Sequence, residues 1–168
     1  MSSAWRRHST VDTYIDATPD AVYDLVADVT RTGERSTECV ACTWLPGHDA
    51  GRVGARFRGH NRAPHFRWTR ICEVLVADRG REFAFRTVPS RWNYGASDSS
   101  IWGYRLQPEG AGTRLTHFHE VVVMPPPVMA SLYGRFFPHH KDPRVPMAHT
   151  IDTLRRQLEA TAASSPTA

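Results

Sequence analysis

The sequence predicts an α+β domain: seven strands in an antiparallel meander, two short helices after the first strand, and a long C-terminal helix. Three observations carry this reading. Apolar and polar residues alternate from His8 to Asp16 and again in successive runs from Thr37 onward, the period of half-buried strands. Ala21, Val22, Leu25, Val26 and Val29 recur at helical spacing behind Thr18-Pro19, a natural cap and first helical residue. Met147, Ile151, Leu154 and Leu158 form an apolar stripe suited to docking on a sheet. The 168 residues suit a single domain, placed at 1–163, with a frayed tail at 164–168.

Taken in order, the first strand sets Val11, Thr13 and Ile15 against Asp12, Tyr14 and Asp16. The first helix reaches about Asp28, and Thr30 is the expected cap of a second, shorter helix ending near Gly33. Strands follow at Cys39 to Leu45, Val53 to Asn61, Phe66 to Ala77 and Glu82 to Val88, with turns at Pro46 to Gly51 and Asp78-Arg79-Gly80. The loop from Pro89 to Ser97 carries Trp92 and Tyr94. The stretch from Asp98 to Val123 then reads as a long hairpin around Glu-Gly-Ala-Gly. On its strands Trp102, Tyr104 and Leu106 share one face, as do Leu115, His117, His119, Val121 and Val123. Three prolines after Met124 end the sheet, and Met129, Leu132, Tyr133 and Phe136 mark a helix over Val128 to Phe137.

Hydrophobic residues make up 40% of the chain and charged residues 23%, which fits a globular protein. No apolar run approaches a membrane span, and the start lacks the apolar segment of a secretory signal, so a cytoplasmic location is expected. Cys39, Cys42 and Cys72 form no disulfide framework. Cys39 and Cys42 have CxxC spacing, but they sit inside a strand and have no second pair for zinc, so they read as small buried hydrophobes. The net charge is +4, and all but one of the 21 basic residues are arginine. These arginines are scattered along the strands, at positions such as Arg56, Arg58, Arg67 and Arg86, as on the outer face of a sheet. A nucleic-acid partner is therefore disfavoured.

The wording of the chain also resembles the START-like or SRPBCC superfamily, and within it the polyketide cyclase/dehydrase branch. The matching stretches are Thr18-Pro19 with Val22 to Asp28, Gly33-Glu34, Ser36 and Glu38, Val53 to Phe57 with Asn61, Trp68, and Cys72-Glu73-Val74. Others are Phe83-Ala84-Phe85, Trp102 to Leu106, Gly112 to Thr116, Met147 and Thr153-Leu154. The resemblance implies a helix-grip fold, a seven-stranded curved sheet wrapped around the C-terminal helix, with a cavity between them for a hydrophobic or amphipathic ligand. Its members include lipid carriers, hormone receptors and aromatase/cyclases, so fold alone leaves function open. The chain departs from the pattern at His117 and His119, where similar sequences more often carry an acidic or polar residue and an aromatic. It also has a longer proline-rich stretch from Pro125 to Pro146.

A sealed core would place aliphatics where Tyr104, His117 and His119 stand, because each buried polar tip needs a partner. A ligand cavity accommodates them. Trp44, Phe57, Trp68, Phe83, Phe85, Trp92, Tyr94, Trp102, Tyr133 and Phe136 are the expected apolar wall. The chemistry would fall to His117 or His119 as a base that removes an acidic α-proton, with Tyr104 and the inward-pointing Arg70 stabilising the enolate oxygen. The plainer alternative is two histidines hydrogen-bonded in a polar cavity. A metal shared by His117, His119 and one of His139, His140 or His149 matches no zinc spacing, so none is expected. No GxGxxG, P-loop, GxSxG or HExxH is present, which leaves a cofactor-free site. The first reading is a binding protein for a hydrophobic or aromatic, polyketide-like or lipid-like small molecule. The second is a cofactor-independent cyclase or dehydratase, and a homodimer is left open.

Overall fold

The structure, a computed structural model, describes residues 5–48, 51–92 and 96–164, with the side chains of the last helix described through residue 162. Tyr94 and the tail at 165–168 lie outside the described residues. The chain runs β1 (His8–Ile15), α1 (Pro19–Ala27), a 3-10 helix (Val29–Glu34), β2 (Cys39–Trp44), β3 (Arg56–Ala63), β4 (Phe66–Asp78) and β5 (Glu82–Thr87). It continues through β6 (Ser99–Glu109), β7 (Gly112–Val123), α2 (Pro127–Phe136), a one-turn 3-10 helix (Pro138–His140) and α3 (Arg144–Ser164). The sheet order is β1-β7-β6-β5-β4-β3-β2, antiparallel throughout. The seven-stranded α+β architecture expected from the sequence is thus present, with β1 returning to pair with the last strand.

Local chemistry sets the joints. The Thr18 hydroxyl accepts from the Ala21 N–H at 3.3 Å and Pro19 opens α1. The 3-10 helix is capped not by Thr30 but by Asp28, whose carboxylate accepts from the Thr30 N–H at 3.1 Å. Asp28 offers a charged acceptor nearer the end of α1, so it displaces the hydroxyl. Gly33 lies so close to β2 that a Cβ there would stand 2.2 Å from the Val40 carbonyl oxygen. This close approach fixes where the chain leaves the 3-10 helix.

The core fills one end of the sheet. Ile15, Val22, Val26, Phe83, Leu115 and Leu154 are almost wholly buried there, where α1 and α3 meet β1, β5 and β7. On the outer face the ring of Phe118 lies over Gly103, its register partner, and the Arg105 guanidinium sits 4.3 Å from the ring centroid. Several outer arginines are matched to acids. Arg56 and Arg86 bracket Glu73, Arg79 reaches Asp20 and Asp24, and Arg114 reaches Glu109 and Asp12. Such exposed pairs contribute roughly 0–1 kcal/mol each, and they locally neutralise the basic surface. α2 buries none of its residues, Leu132 and Phe136 included. No helix among the described residues is long and apolar enough to cross a membrane.

Candidate functional site

At the other end of the sheet, where α1 no longer covers it, a cavity of about 260 Å³ opens between the inner faces of β2–β7 and the segment from Pro125 to Thr150. Strand alternation supplies its walls. Phe57 from β3, Trp68 and Arg70 from β4, Phe85 from β5, Trp102 and Tyr104 from β6, and His117 and His119 from β7 all line it. Cys39 and Cys42, three residues apart, would face opposite ways on a regular strand. An irregularity between Cys39 and Ala41 turns both inward.

The hairpin register pairs Tyr104 with His117 and Trp102 with His119. The Tyr104 and His117 rings stack at 4.3 Å and 10°, and Trp102 lies 4.1 Å from His119 at 42°. His117 Nδ1 stands 2.9 Å from the Gly103 carbonyl oxygen. A carbonyl only accepts, so Nδ1 carries the proton and Nε2 is left as the acceptor. Burial pushes the His117 pKa down to about 4, against the support of that hydrogen bond, and the positive charge of Arg35 adds to the push. Burial also takes His119 to about 4, with His117 and His140 contributing. Its Nδ1 is buried without a hydrogen-bond partner. Both rings are therefore neutral near pH 7.

Arg70 points inward as its parity with Trp68 and Cys72 predicts, but its guanidinium is engaged. Nη1 donates to the Asp98 carboxylate and Nη2 to the Asp98 carbonyl, both at 2.7 Å. Of the two arginines on the cavity wall, Arg35 is the one with no ion pair among the described residues, and no periodicity in the sequence singles it out. It lies at the end of the 3-10 helix and is 2% exposed. Its Nη2 donates to the Asp28 carbonyl at 3.3 Å, while Nη1 has no partner. It lines the cavity against Tyr104, whose pKa is raised by burial and partly restored by Arg35.

The mouth is built differently. The Ser36 hydroxyl accepts from the N–H groups of Glu38 and Cys39 at 3.2 and 2.9 Å, turning the chain so that Glu38 faces the cavity. His139 and His140 Nε2 reach the same Glu38 oxygen at 2.6 and 2.8 Å. Burial alone would raise the Glu38 carboxyl, but these two hydrogen bonds outweigh it and hold the pKa at about 2. Among the described residues these three make the one histidine–carboxylate cluster with metal-ligand spacing. It is distinct from the His117–His119 pairing considered from sequence. Phe137 stacks on His140 at 5.2 Å and meets Phe66 and Trp68 edge-on, which packs this Glu38–His139–His140 latch against β4.

Five of the aromatics expected on the wall stand elsewhere. Phe83 shares a face with Phe85 but sits under α1 in the closed end, edge-on to Tyr23. Trp44 lies beyond Phe57 on the edge strand and packs against its ring at 5.5 Å. Trp92 is 98% exposed, Phe136 rests on Phe66 outside the cavity, and Tyr133 packs on Phe137 and His140 behind the latch. Strand parity fixes which face a side chain takes but not its distance along the strand. The residues missed, Arg35, Glu38 and Asp98, sit in irregular segments where no periodicity gives a direction.

Solved structures of the same shape include an aromatase/cyclase, Zhui, from Streptomyces sp. R1128, at a TM-score of 0.68 and 15% identity, covering 95% of this chain and 99% of that one. A protein from Thermus thermophilus matches at 0.66 and 20%, covering 94% and 99%. A polyketide-cyclase-like protein from Corynebacterium glutamicum matches at 0.54 and 27%, covering 92% and 93%. No curated protein sequence matches the chain. The family model described as "Polyketide cyclase / dehydrase and lipid transport" matches residues 6–137, from the entry into β1 to the end of α2. With the sheet, the C-terminal helix and the cavity between them all in place, the chain belongs to the polyketide cyclase/dehydrase and lipid transport family.

Proposed function

We propose that the protein binds a hydrophobic or aromatic small molecule, polyketide-like or lipid-like, in the cavity between the sheet and the C-terminal segment. The observation that carries this is the cavity itself. Its volume of about 260 Å³ is bounded by Phe57, Trp68, Phe85, Trp102 and Met147, with polar groups such as Arg35, Tyr104 and His117 set among them. Ligand pockets have this composition and begin near about 300 Å³. The test is native mass spectrometry of the purified protein, followed by thermal shift against lipids, flavonoids and aromatic polyketides. A co-purifying ligand, or stabilisation by one chemical class, is expected; no stabilisation by any class would overturn the reading.

A second reading, a cofactor-independent cyclase or dehydratase, is favoured by one feature. His117 is held as the Nδ1–H tautomer beside Tyr104, with an unprotonated Nε2 to take a proton. The same burial weakens it as a base: a pKa of about 4 lies well below the neutral range where general bases work best. Binding is therefore placed first. The proton-transfer role would fail if the His117→Ala/His119→Ala double variant kept its turnover of a cyclisable substrate.

A further inference from the structure

We propose that the ligand is a hydrophobic carboxylic acid whose carboxylate is held by Arg35 at the deep end of the cavity. This rests on the ligand-binding reading and adds the ligand's charge. Buried charges in proteins are paired, because an unpaired one forfeits its hydration with nothing in return. Arg35 is buried, lines the cavity and forms no ion pair among the described residues. The acids nearest in sequence are already engaged: Glu38 by His139 and His140, and Glu34, which feels the Arg35 charge but makes no ion pair with it, by another arginine. That arginine is Arg31, at 2.7 Å; Gln157 also reaches Glu34, at 2.9 Å, and Asp28 is taken by the Thr30 cap.

The backbone around Arg35 is fixed from both sides. Its N–H donates to the Thr32 carbonyl at 3.1 Å, and its carbonyl accepts from the Thr150 hydroxyl of α3 at 3.3 Å. The guanidinium itself is held by burial and by the Nη2 bond to the Asp28 carbonyl. The free Nη1 and the protonated Tyr104 hydroxyl both offer donors to an incoming oxygen. A carboxylate supplies the acceptors and the missing negative charge together, whereas a neutral carbonyl leaves the cation uncompensated. One spare cation also sets the charge of the ligand. Arg70, the other arginine on the wall, is already neutralised by Asp98, so a monoanion fits and a dianionic phosphate does not. The apolar body then lies along Trp102, Phe57, Phe85 and Met147 toward the mouth.

The experiment uses a matched pair of probes, 2-naphthoate and its neutral isostere 2-naphthamide, titrated near neutral pH and followed by calorimetry. The wild-type protein is expected to prefer the acid at least about tenfold, as a charge-assisted hydrogen bond gives. Arg35→Met is expected to lower naphthoate affinity to that of the amide while leaving the amide unchanged. Without ligand, its melting temperature should equal or exceed that of the wild type, because the variant removes an uncompensated buried charge. Equal binding of the two probes to the wild type, or a preference that survives in Arg35→Met, would overturn the Arg35 assignment and leave the cavity reading standing. Binding of neither probe would overturn both. Should Arg35→Met fail to fold, Arg35→Gln with the wild-type preference answers the same question, and a melting temperature well below wild type with the preference intact would make Arg35 purely structural.

Discussion

The two ends of the cavity handle buried charge in opposite ways. At the mouth Glu38 is matched by two histidines, side chains are a quarter to two-fifths exposed, and every charge of the latch has a partner within the protein. Deeper in, Arg35 makes no ion pair and the His119 Nδ1 no hydrogen bond among the described residues, and burial holds His117 and His119 neutral. A mouth of this kind contributes to its own closure. A deep end of this kind costs stability until something enters, as expected where binding function has displaced packing. The contrast separates the residues that hold the site together from those that wait for a ligand.

The sharpest way to break this contrast is at the residue that places Arg35. Gly33→Ala would put a methyl 2.2 Å from the Val40 carbonyl, a backbone atom of β2 that cannot move without disturbing the sheet. A loss of about 3 kcal/mol is expected from such overpacking against backbone. It should show as a lower urea midpoint, accompanied by loss of the acid-over-amide preference as Arg35 is displaced. An unchanged midpoint would mean that the 3-10 helix tolerates the shift and that Gly33 does not set the geometry.

Comparable in size is the response to acid. His117 and His119 have folded pKa values near 4, below their ordinary 6.5. The unfolded chain therefore binds more protons between those values, and stability falls as pH drops from about 6.5 toward 4. The effect is at most about 3 kcal/mol per histidine. Above about pH 6.5 the contribution is fully present. Denaturation at several pH values should reveal the slope, and His119→Leu should remove its share at little cost, because its Nδ1 makes no bond to lose. His117→Leu should also flatten the slope but lower stability near pH 7, since it strips the Gly103 carbonyl of its donor. A pH profile identical in wild type and His119→Leu would show that the ring is already hydrated or protonated.

These two ends are unequally legible in the sequence. The hairpin pairs Tyr104–His117 and Trp102–His119 follow from strand alternation and the Glu-Gly-Ala-Gly turn, because the side-chain period of two leaves no freedom once the register is set. The same rule places Arg70 inward. It does not reveal the partner, Asp98, because a salt bridge between the start of β6 and the middle of β4 depends on tertiary geometry. Arg35 and Glu38 sit between the 3-10 helix and β2, where no period applies, and only the Ser36 turn and the Gly33 contact give them direction. The unused aromatics teach the same lesson from the other side. Phe83 and Phe85 share a face and differ only in whether α1 lies above them.

The smallest expected effect tests the mouth. Glu38→Gln keeps the shape of the side chain and removes its charge, so His139 and His140 lose a charge-assisted acceptor but retain a neutral one. Because the three side chains are a quarter to two-fifths exposed, the electrostatic part is screened and the cost should stay below that of the buried histidines, at about 1–2 kcal/mol. The sign against pH is that of a carboxylate with a depressed pKa. The contribution is present above the ordinary carboxylate range and is lost as pH falls toward about 2, a window separate from that of the two cavity histidines. Kinetics should move further than stability. The latch ties the start of β2 to the one-turn helix before α3, so loosening it should raise probe association and dissociation rates together, with the equilibrium preference for the acid retained. If Glu38→Gln instead abolished that preference, the mouth and the deep end would be one coupled network, and Arg35 would not be acting as an independent anion site.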